Sequence, residues 1–260
     1  MKEPRHITSR SSPLVKDLRR LAQEPGAYRK LGLVWLEGDH LCRAFLARGG
    51  RPKQAVVGAS AWLQPGPREL ALKADEISVL DDSLLPEVSS LESPAPIGFL
   101  IDGPAKGQAP MAGVATVVLD RLQDPGNVGT ILRSAAALGV KQVLTMRGSA
   151  GLWSPKVLRA GMGAHFALHL VEGVIVSELD SLGVTLIATS SHAAQALHEL
   201  ALPVPCAWVF GHEGQGVAEP LMQRCGLTVR IAQPGGEESL NVAAATAICL
   251  YESARQALVP

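Results

Sequence analysis

Between residues 114 and 260 the chain alternates short, continuous apolar runs with segments of helical periodicity. Short apolar runs bounded by polar turns are typical of strands buried on both faces of a parallel sheet. Between and after them, apolar residues recur at helical spacing at 127–138, at 154–162 and from about 241 onward. This alternation predicts an α/β fold with a mainly parallel sheet and helices on both faces. The predicted strands are residues 114–119, 142–146, 168–171, 185–189, 206–210 and 227–231.

The first hundred residues follow a second, smaller α/β pattern. Ser12 and Pro13 predict a helix start, with Ser12 as the capping residue and Pro13 at the first helical position. Leu14, Leu18 and Leu21 then recur on one apolar helix face. A further strand is predicted to end with residues 35–38, and others are predicted at 55–58, 77–80 and 97–101. A further helix is predicted to start with residues 41–46, and a short one is predicted at 82–91.

A segment rich in Gly and Pro, residues 102–110, separates the two patterns and has no periodicity of its own. Such composition is typical of a linker. We therefore predict a domain at residues 1–103, a linker at 104–111 and a second domain at 112–260.

The composition is that of an ordinary globular protein, with 47% hydrophobic and 18% charged residues. No apolar run approaches the ~18 residues of a membrane span, and the N-terminus has no apolar core of a secretion signal. The four cysteines are scattered and include no CxxC pair, which favours buried free thiols in a reducing compartment. We expect a cytoplasmic protein without membrane association.

Charge is unevenly distributed although the formal net charge is zero. Residues 1–53 hold 12 Lys and Arg against 5 Asp and Glu. Such an excess is typical of a segment that binds nucleic acid, and Lys16, Arg19 and Arg20 on the first predicted helix are the candidates. The alternative is a solvated basic helix face. Aromatic residues make up only 4% of the chain, which disfavours binding by base stacking.

Familiar catalytic motifs are absent from the sequence. Without GxGxxG or GxxxxGK[ST], a nucleotide-dependent oxidoreductase and a P-loop enzyme are both disfavoured. There is no HExxH and no GxSxG, and His165 and His169 have no third ligand beside them. We therefore expect no metal site.

Three polar segments each follow a predicted strand of the second domain. They begin at Asn127, at Gly211 and at residue 231, and the carboxyl ends of parallel strands are where open α/β sheets hold ligands. Each segment also has an ordinary interpretation: Asn127 as a helix cap, residues 211–216 as a flexible turn, and 231–241 as a connection capped by Ser239 or Asn241. Three such segments together favour one shared site.

The same segments resemble the three motifs of the SpoU (TrmH-type) family of RNA ribose 2′-O-methyltransferases, within the knotted SPOUT class. The matching stretches are NVGTILRSAAALGV, FGHEGQGV and ESLNVAAATAICLYE, and residues 154–166 resemble the segment between the first two motifs. SRSSPLVKDLRRL and VWLEGDHL resemble the small ribosomal-protein-like substrate-binding domain that often precedes the catalytic domain. The resemblance covers nearly the whole chain.

This resemblance implies a C-terminal trefoil knot and a homodimer that packs partly through the helix beginning near Asn241. It implies S-adenosyl-L-methionine as the cofactor, held mostly by backbone groups. It favours ribosomal RNA over transfer RNA as the substrate, because the first domain is ribosomal-protein-like. Carried over residue by residue, the cofactor contacts are Gly211, Ile231 and Leu240, with Gln233 and Gly235 nearby.

The resemblance also assigns catalytic residues. Arg133 takes the central role, as a base or as a group that anchors a phosphate and polarises the 2′-hydroxyl; an arginine pKa above ~12 favours the latter. The residues around it are Asn127, Glu213, Ser239 and Asn241.

Departures from the family pattern concern the substrate rather than the presumed catalytic residues. His212, Gly161 and Ala232-Gln233 stand where other residues are common, which leaves the subfamily and the target nucleotide open. Two alternatives also stay open: a non-catalytic RNA-binding or ribosome-assembly factor on the same scaffold, and a methyltransferase that acts on an RNA base.

Overall fold

The computed structural model describes residues 3–105, 107–236 and 239–258, and the chain divides into two compact units. The first unit is Met1–Lys106 together with Trp153–Phe166, and the second is Gly107–Leu152 together with Ala167–Pro260. The helix predicted at 154–162 thus groups with the first unit. The predicted domain boundaries stay a prediction, and Lys106 of the predicted linker lies outside the described residues.

The strands of the described residues form two sheets, one in each unit. In chain order they are β1 (Arg5–Ile7), β2 (Leu33–Glu37), β3 (Gln54–Gly58), β4 (Glu76–Leu80), β5 (Ile97–Asp102), β6 (Thr116–Leu119), β7 (Gln142–Met146), β8 (His169–Val174), β9 (Thr185–Thr189), β10 (Gln195–Ala196), β11 (Cys206–Phe210) and β12 (Leu227–Arg230).

Helices alternate with these strands. The α-helices are α1 (Pro13–Gln23), α2 (Ala27–Leu31), α3 (Asp39–Ala47), α4 (Ala59–Trp62), α5 (Pro65–Ala71), α6 (Pro125–Ala137), α7 (Pro155–Gly161), α8 (Glu219–Met222) and α9 (Val242–Leu258). Short 3-10 helices occupy Asp82–Val88, Ala164–Ala167, Val176–Leu182 and Leu197–Glu199.

The sheet of the first unit has the order β1-β4-β3-β5-β2. β3 and β1 run parallel to β4, whereas β5 runs antiparallel to both β3 and β2. The predicted first helix is confirmed as α1, whose Val15 and Leu18 are completely buried. Ser12 occupies its N-cap position as predicted. The expected capping bond is absent, since the Ser12 side chain accepts no hydrogen bond from the described backbone N–H groups of the helix.

The sheet of the second unit has the order β10-β12-β9-β11-β6-β7-β8, and all its strand pairs are parallel. This confirms the mainly parallel sheet predicted from the apolar runs. The four neighbouring strands β9, β11, β6 and β7 each contribute a residue to one apolar core, namely Ala188, Val209, Val118 and Leu144. Each such buried aliphatic side chain contributes roughly 1–3 kcal/mol through removal of apolar surface from water.

Some elements escaped sequence analysis because they are short. β1 has three residues, of which only Ile7 is buried, so its pattern has no periodicity to detect. β10 has two residues and acquires its structure from pairing with β12. α5 begins at Pro65 within a Pro- and Gly-rich stretch that would otherwise indicate a loop.

The cysteines are free thiols, as predicted. Cys42, Cys206 and Cys249 are buried and Cys225 is partly buried. Burial raises the pKa of Cys249 to about 12 and that of Cys206 to about 11, because a buried thiolate loses its hydration. Among the described residues, no helix combines the length and apolar character that crossing a membrane requires.

Candidate active site

The three polar segments lie at one edge of the second sheet. β12, β9, β11 and β6 are neighbours in that order and run parallel, so the loops that follow them start side by side. Parts of the loops after β9, β11 and β12 line a cavity of about 610 Å³, here called the loop cavity. Its lining includes residues 189–192, 210–217, 231, 233, 239–242 and 245.

The first segment begins with a capped helix. The Asp124 carboxylate accepts a hydrogen bond from the backbone N–H of Asn127 at 2.7 Å, and Pro125 occupies the first helical position of α6. The interpretation of Asn127 as the helix cap is therefore wrong, because Asp124 already fills that role. The Asn127 side chain is left available to the neighbouring loops.

Asn127 joins the second and third segments through its side-chain amide. Its Nδ2 donates to Glu213 Oε1 at 3.3 Å, and its Oδ1 accepts from Asn241 Nδ2 at 3.0 Å. Because an amide has distinct donor and acceptor ends, these two bonds fix the orientation of the Asn127 side chain. The three segments predicted to share one site are thus connected by side chains.

Asn241 has two functions at once. Its Oδ1 accepts from the backbone N–H groups of Ala243 at 2.9 Å and Ala244 at 3.3 Å, which caps α9. Its Nδ2 meanwhile contacts Asn127, and the residue lines the loop cavity together with Ser239. The interpretation of Asn241 as a cap is confirmed, and it is compatible with a place in the site.

The loop after β11, residues 211–217, is here called the β11 loop. It closes on itself: His212 N donates to Gly216 O at 3.0 Å, and Gly216 N donates to His212 O at 2.8 Å. A Cβ on Gly211 would lie 2.1 Å from both Gly216 C and Val217 N, so no side chain fits there. The interpretation as a turn is confirmed, and these two hydrogen bonds close it.

Asp120, which sequence analysis did not single out, holds both ends of the β11 loop. Its backbone N–H donates to Phe210 O at 2.8 Å, and its Oδ2 accepts from Ala218 N at 2.7 Å. It is 3% exposed, so these bonds form in a site from which water is largely excluded. An acid directly after a buried strand was the available signal. The cavity-lining residues 189–192 were also missed, although they lie at the end of a predicted strand and directly after it.

The third segment contributes to the lining of the loop cavity as expected, except for Gly235. Ile231, Gln233 and Leu240 line it, whereas Gly235 does not. Gln233 Oε1 is buried and accepts no hydrogen bond from any residue that the structure describes. A buried acceptor without a donor is costly, so this atom is suited to a ligand that brings an N–H group. Glu237 and Glu238 of the same segment lie outside the described residues.

Arg133 lies on α6 away from the lining of the loop cavity. It is exposed and makes no hydrogen bond or ion pair with another described residue. An unpaired arginine is available to bind an anion such as a phosphate. Its assigned role in the reaction stays a prediction.

The three candidate RNA-binding residues lie on α1 of the first unit. Arg19 forms an ion pair with Glu87, and Arg20 lies 3.6 Å from Glu24. Lys16 is exposed, and no ion pair joins it to a described residue. Part of the positive charge of this face is therefore compensated locally.

Comparison with known proteins identifies relatives of the whole chain. It is 35% identical over 96% of its length to an uncharacterized tRNA/rRNA methyltransferase of Synechocystis, of which the match covers 93%. It is 29% identical, over 95% of its length and 98% of the relative, to the 23S rRNA (guanosine(2553)-2′-O)-methyltransferase RlmP of Bacillus subtilis. The AdoMet-bound rRNA methyltransferase from Sinorhizobium meliloti matches with a TM-score of 0.84 at 26% identity, covering 98% of this chain and 99% of that one.

The fold, the three-loop site and these relatives define the class of protein as an α/β methyltransferase that uses S-adenosyl-L-methionine. Residues 115–251 match the model of the SpoU rRNA Methylase family, and the chain belongs to that family. The family predicted from the three motifs is thereby confirmed.

Proposed function

We propose that this protein transfers a methyl group from S-adenosyl-L-methionine to a ribose 2′-hydroxyl of structured RNA. The observation that carries this proposal is the hydrogen-bonded series Glu213–Asn127–Asn241 beside the loop cavity. It is supported by two relatives whose names specify 2′-O-methylation of guanosine in 23S rRNA. One is RlmP, and the other is RlmB of Bordetella pertussis, to which the chain is 35% identical over 81% of its length and 74% of the relative. These relatives favour ribosomal RNA as the substrate, although the Synechocystis relative is named for both tRNA and rRNA.

The cofactor supplies a methyl group activated by a positive sulfonium centre. Gly211, Ile231, Leu240, Gln233 and Gly235 are the residues we assign to holding it. The unpaired Gln233 Oε1 fits this ligand, because the adenine amino group is a hydrogen-bond donor. Gly211 fits as well, since it lines the loop cavity and allows the close return of residues 216 and 217 that closes the β11 loop beside the cavity.

The acceptor hydroxyl is a poor nucleophile and needs an adjacent acceptor or a polarising group. Glu213 provides a carboxylate held by Asn127, and Asn241 holds Asn127 from the other side. We assign Arg133 to the RNA phosphate, where its charge orients the substrate and polarises the hydroxyl. Ser239 provides a further hydroxyl at the loop cavity. Positioning of the two reactants then supplies much of the rate.

A trefoil knot formed by the C-terminal part of the second unit is part of this proposal. It is supported by the position of β12, the last strand in the chain, inside the sheet between β9 and β10. It is also supported by the contact of α9, the last helix, with α6, the first helix of the second unit.

A homodimer is proposed from the unpaired apolar surface of α9. Ile248, Tyr251 and Leu258 are 41%, 62% and 82% exposed on this helix, although large apolar residues are normally buried. They border two apolar depressions of about 420 and 630 Å³. A second copy of the chain would cover this surface.

A cytoplasmic location stays a prediction.

For the first unit we propose that the α1 face contributes to RNA binding, with Lys16 as the least compensated of its charges. Phosphate contacts make binding salt-dependent, so replacing Lys16, Arg19 and Arg20 together by Ala is expected to weaken RNA binding and reduce its salt dependence. Cofactor affinity is expected to be unchanged. An unaltered salt dependence would identify this face as merely solvated.

The function is tested by incubating the protein with total RNA and cofactor labelled in the methyl group. We expect label in RNA, at a nucleotide whose 3′ phosphodiester resists alkaline hydrolysis, since a 2′-O-methyl group blocks that cleavage. Label at an alkali-sensitive position would indicate a base methyltransferase instead. Calorimetry with S-adenosyl-L-methionine distinguishes both enzymes from a non-catalytic RNA-binding factor, because a factor with a degenerate site would bind no cofactor.

A further inference from the structure

Arg121, which follows Asp120, has an unusual backbone conformation and a paired side chain. Its φ of 57° lies in the left-handed region, which residues other than Gly, Asn and Asp rarely adopt. Its Nε and Nη2 donate to the two oxygens of Asp120 at 3.0 and 3.1 Å, a two-pronged ion pair with a buried carboxylate. The hydrogen bond to Asp120 raises the pKa of the Arg121 guanidinium above its ordinary value, so the group stays charged.

The same guanidinium also reaches the far end of the β11 loop. Nη1 donates to Gln215 Oε1 at 3.0 Å, and Nη2 donates to Gly216 O at 3.3 Å. Gly216 O is also the atom that accepts from His212 N inside the loop. Because Asp120 already holds the two ends of the loop, the pair Asp120–Arg121 contacts the loop at its start, at its outer end and just past its last residue.

Such a restraint matters because of the composition of the β11 loop. Gly211, Gly214 and Gly216 make its backbone unusually free in the absence of tertiary contacts. The loop nevertheless has to present Glu213 to Asn127 and Gly211 to the loop cavity. Arg121 itself is not among the residues that line the cavity, so its contribution is indirect.

We propose that Arg121 is a positioning residue, which holds the β11 loop in the conformation that binds the cofactor and directs Glu213 toward Asn127. The effect of Arg121 on the reaction, through Glu213, rests on the proposed function. Its effect on the conformation of the β11 loop requires only that the protein binds the cofactor. Both oxygens of Asp120 and both Nη atoms of Arg121 are used, which favours a guanidinium over an ammonium at this position.

The test compares Arg121→Gly and Arg121→Lys with the unaltered full-length protein. Glycine adopts a φ of 57° without strain, so Arg121→Gly removes the side chain without straining the backbone at this position. We expect faster amide hydrogen exchange at residues 212–217 and an increase of about tenfold in the cofactor Kd measured by calorimetry, equivalent to ~1.4 kcal/mol. Arg121→Lys keeps a cation beside Asp120 without the fork, so we expect intermediate values.

The matched control is Arg224→Ala, in the same unit. Arg224 also forms an ion pair with a carboxylate, that of Asp180, but it lies outside the loop cavity. Its loop exchange and Kd are expected to equal those of the unaltered protein.

Each outcome decides the proposal. The proposal is overturned if both Arg121 variants have a cofactor Kd within twofold of that of the unaltered protein and unchanged exchange of the loop amides. It is also overturned if Arg224→Ala shows the raised Kd and the faster exchange expected for Arg121→Gly. If Arg121→Gly does not fold, the intermediate values expected for Arg121→Lys carry the test. Failure of the proposed function has a different result, namely no label in RNA from the unaltered protein or label at an alkali-sensitive position, and the exchange of the loop amides stays interpretable in either case.

Discussion

At the scale of single residues, Asn127 connects the site. The chain contains two asparagines, and both stand in the same hydrogen-bonded series with Glu213. Sequence analysis identified all three positions from the motifs, but it could not identify their contacts. Asn127 and Asn241 are separated by 114 residues, and only the folding of the sheet brings their amides to 3.0 Å.

Replacing Asn127 by Ala is expected to reduce kcat for methyl transfer by about 10²–10³-fold, because Glu213 and Asn241 both lose their fixed partner. Cofactor affinity is expected to change little, since the side chain of Asn127 contacts Glu213 and Asn241, which we assign to the acceptor hydroxyl, and none of the residues assigned to the cofactor. Single-turnover methylation and calorimetry measure the two quantities separately. Gln223→Ala, at an exposed amide paired with Glu219, is the control. Unreduced methyl transfer in Asn127→Ala would remove the residue from the mechanism.

At the scale of elements, the β11 loop is a turn closed by its own backbone hydrogen bonds. Its sequence, GHEGQGV, has three glycines and resembles a generic turn when considered alone. The requirement at Gly211 comes from the return of residues 216 and 217, which pass within 2.1 Å of where a Cβ would be. The three glycines could be read from the sequence. The steric requirement for glycine at position 211 could not, because it depends on how residues 216 and 217 return to it.

Gly211→Ala is expected to open the β11 loop and raise the cofactor Kd at least tenfold, because backbone atoms rather than a flexible side chain would have to move. Gly214→Ala provides the comparison within the same loop. The nearest atoms to a Cβ at Gly214 are those of the His212 ring at 3.9 Å, an ordinary contact, so we expect a much smaller increase in Kd. Equal affinities of the two variants in calorimetry would contradict this account of the loop.

At the scale of the whole molecule, α9 combines two environments. Thr246, Cys249 and Leu250 are buried on one side, while Ile248 and Tyr251 are exposed on the other. A helix with apolar residues on both sides is normally covered on both. The sequence of α9 therefore agrees with an assembly larger than one chain, which is the homodimer proposed above.

Replacing Tyr251 by Lys is expected to shift the protein from dimer to monomer in sedimentation velocity, because a charge in an apolar interface loses its hydration. The side chain is 62% exposed in the single chain, so the monomer is expected to stay folded. Leu63→Lys is the control. Leu63 is 82% exposed on the first unit, and its replacement is expected to leave the protein a dimer in the same experiment. A monomeric unaltered protein would contradict the dimer.

The sequence by itself determined the class of fold and predicted where the candidate site lies. Apolar runs such as 114–119 and 206–210 predicted strands correctly, because burial on both faces of a parallel sheet requires continuous apolar residues. The three motif segments indicated one edge of that sheet, since parallel strands present their carboxyl ends together.

Tertiary structure alone decided the contacts within the site. Sequence patterns reflect local periodicity and burial, whereas the bonds of Asp120 to Phe210 and Ala218 join residues about 90 or more positions apart. The same limit explains why Arg121 was not recognised: nothing in an Asp-Arg dipeptide indicates which distant carbonyl its guanidinium will reach. Long-range contacts are specified by the packing of the whole sheet, and that packing becomes visible only in the folded chain.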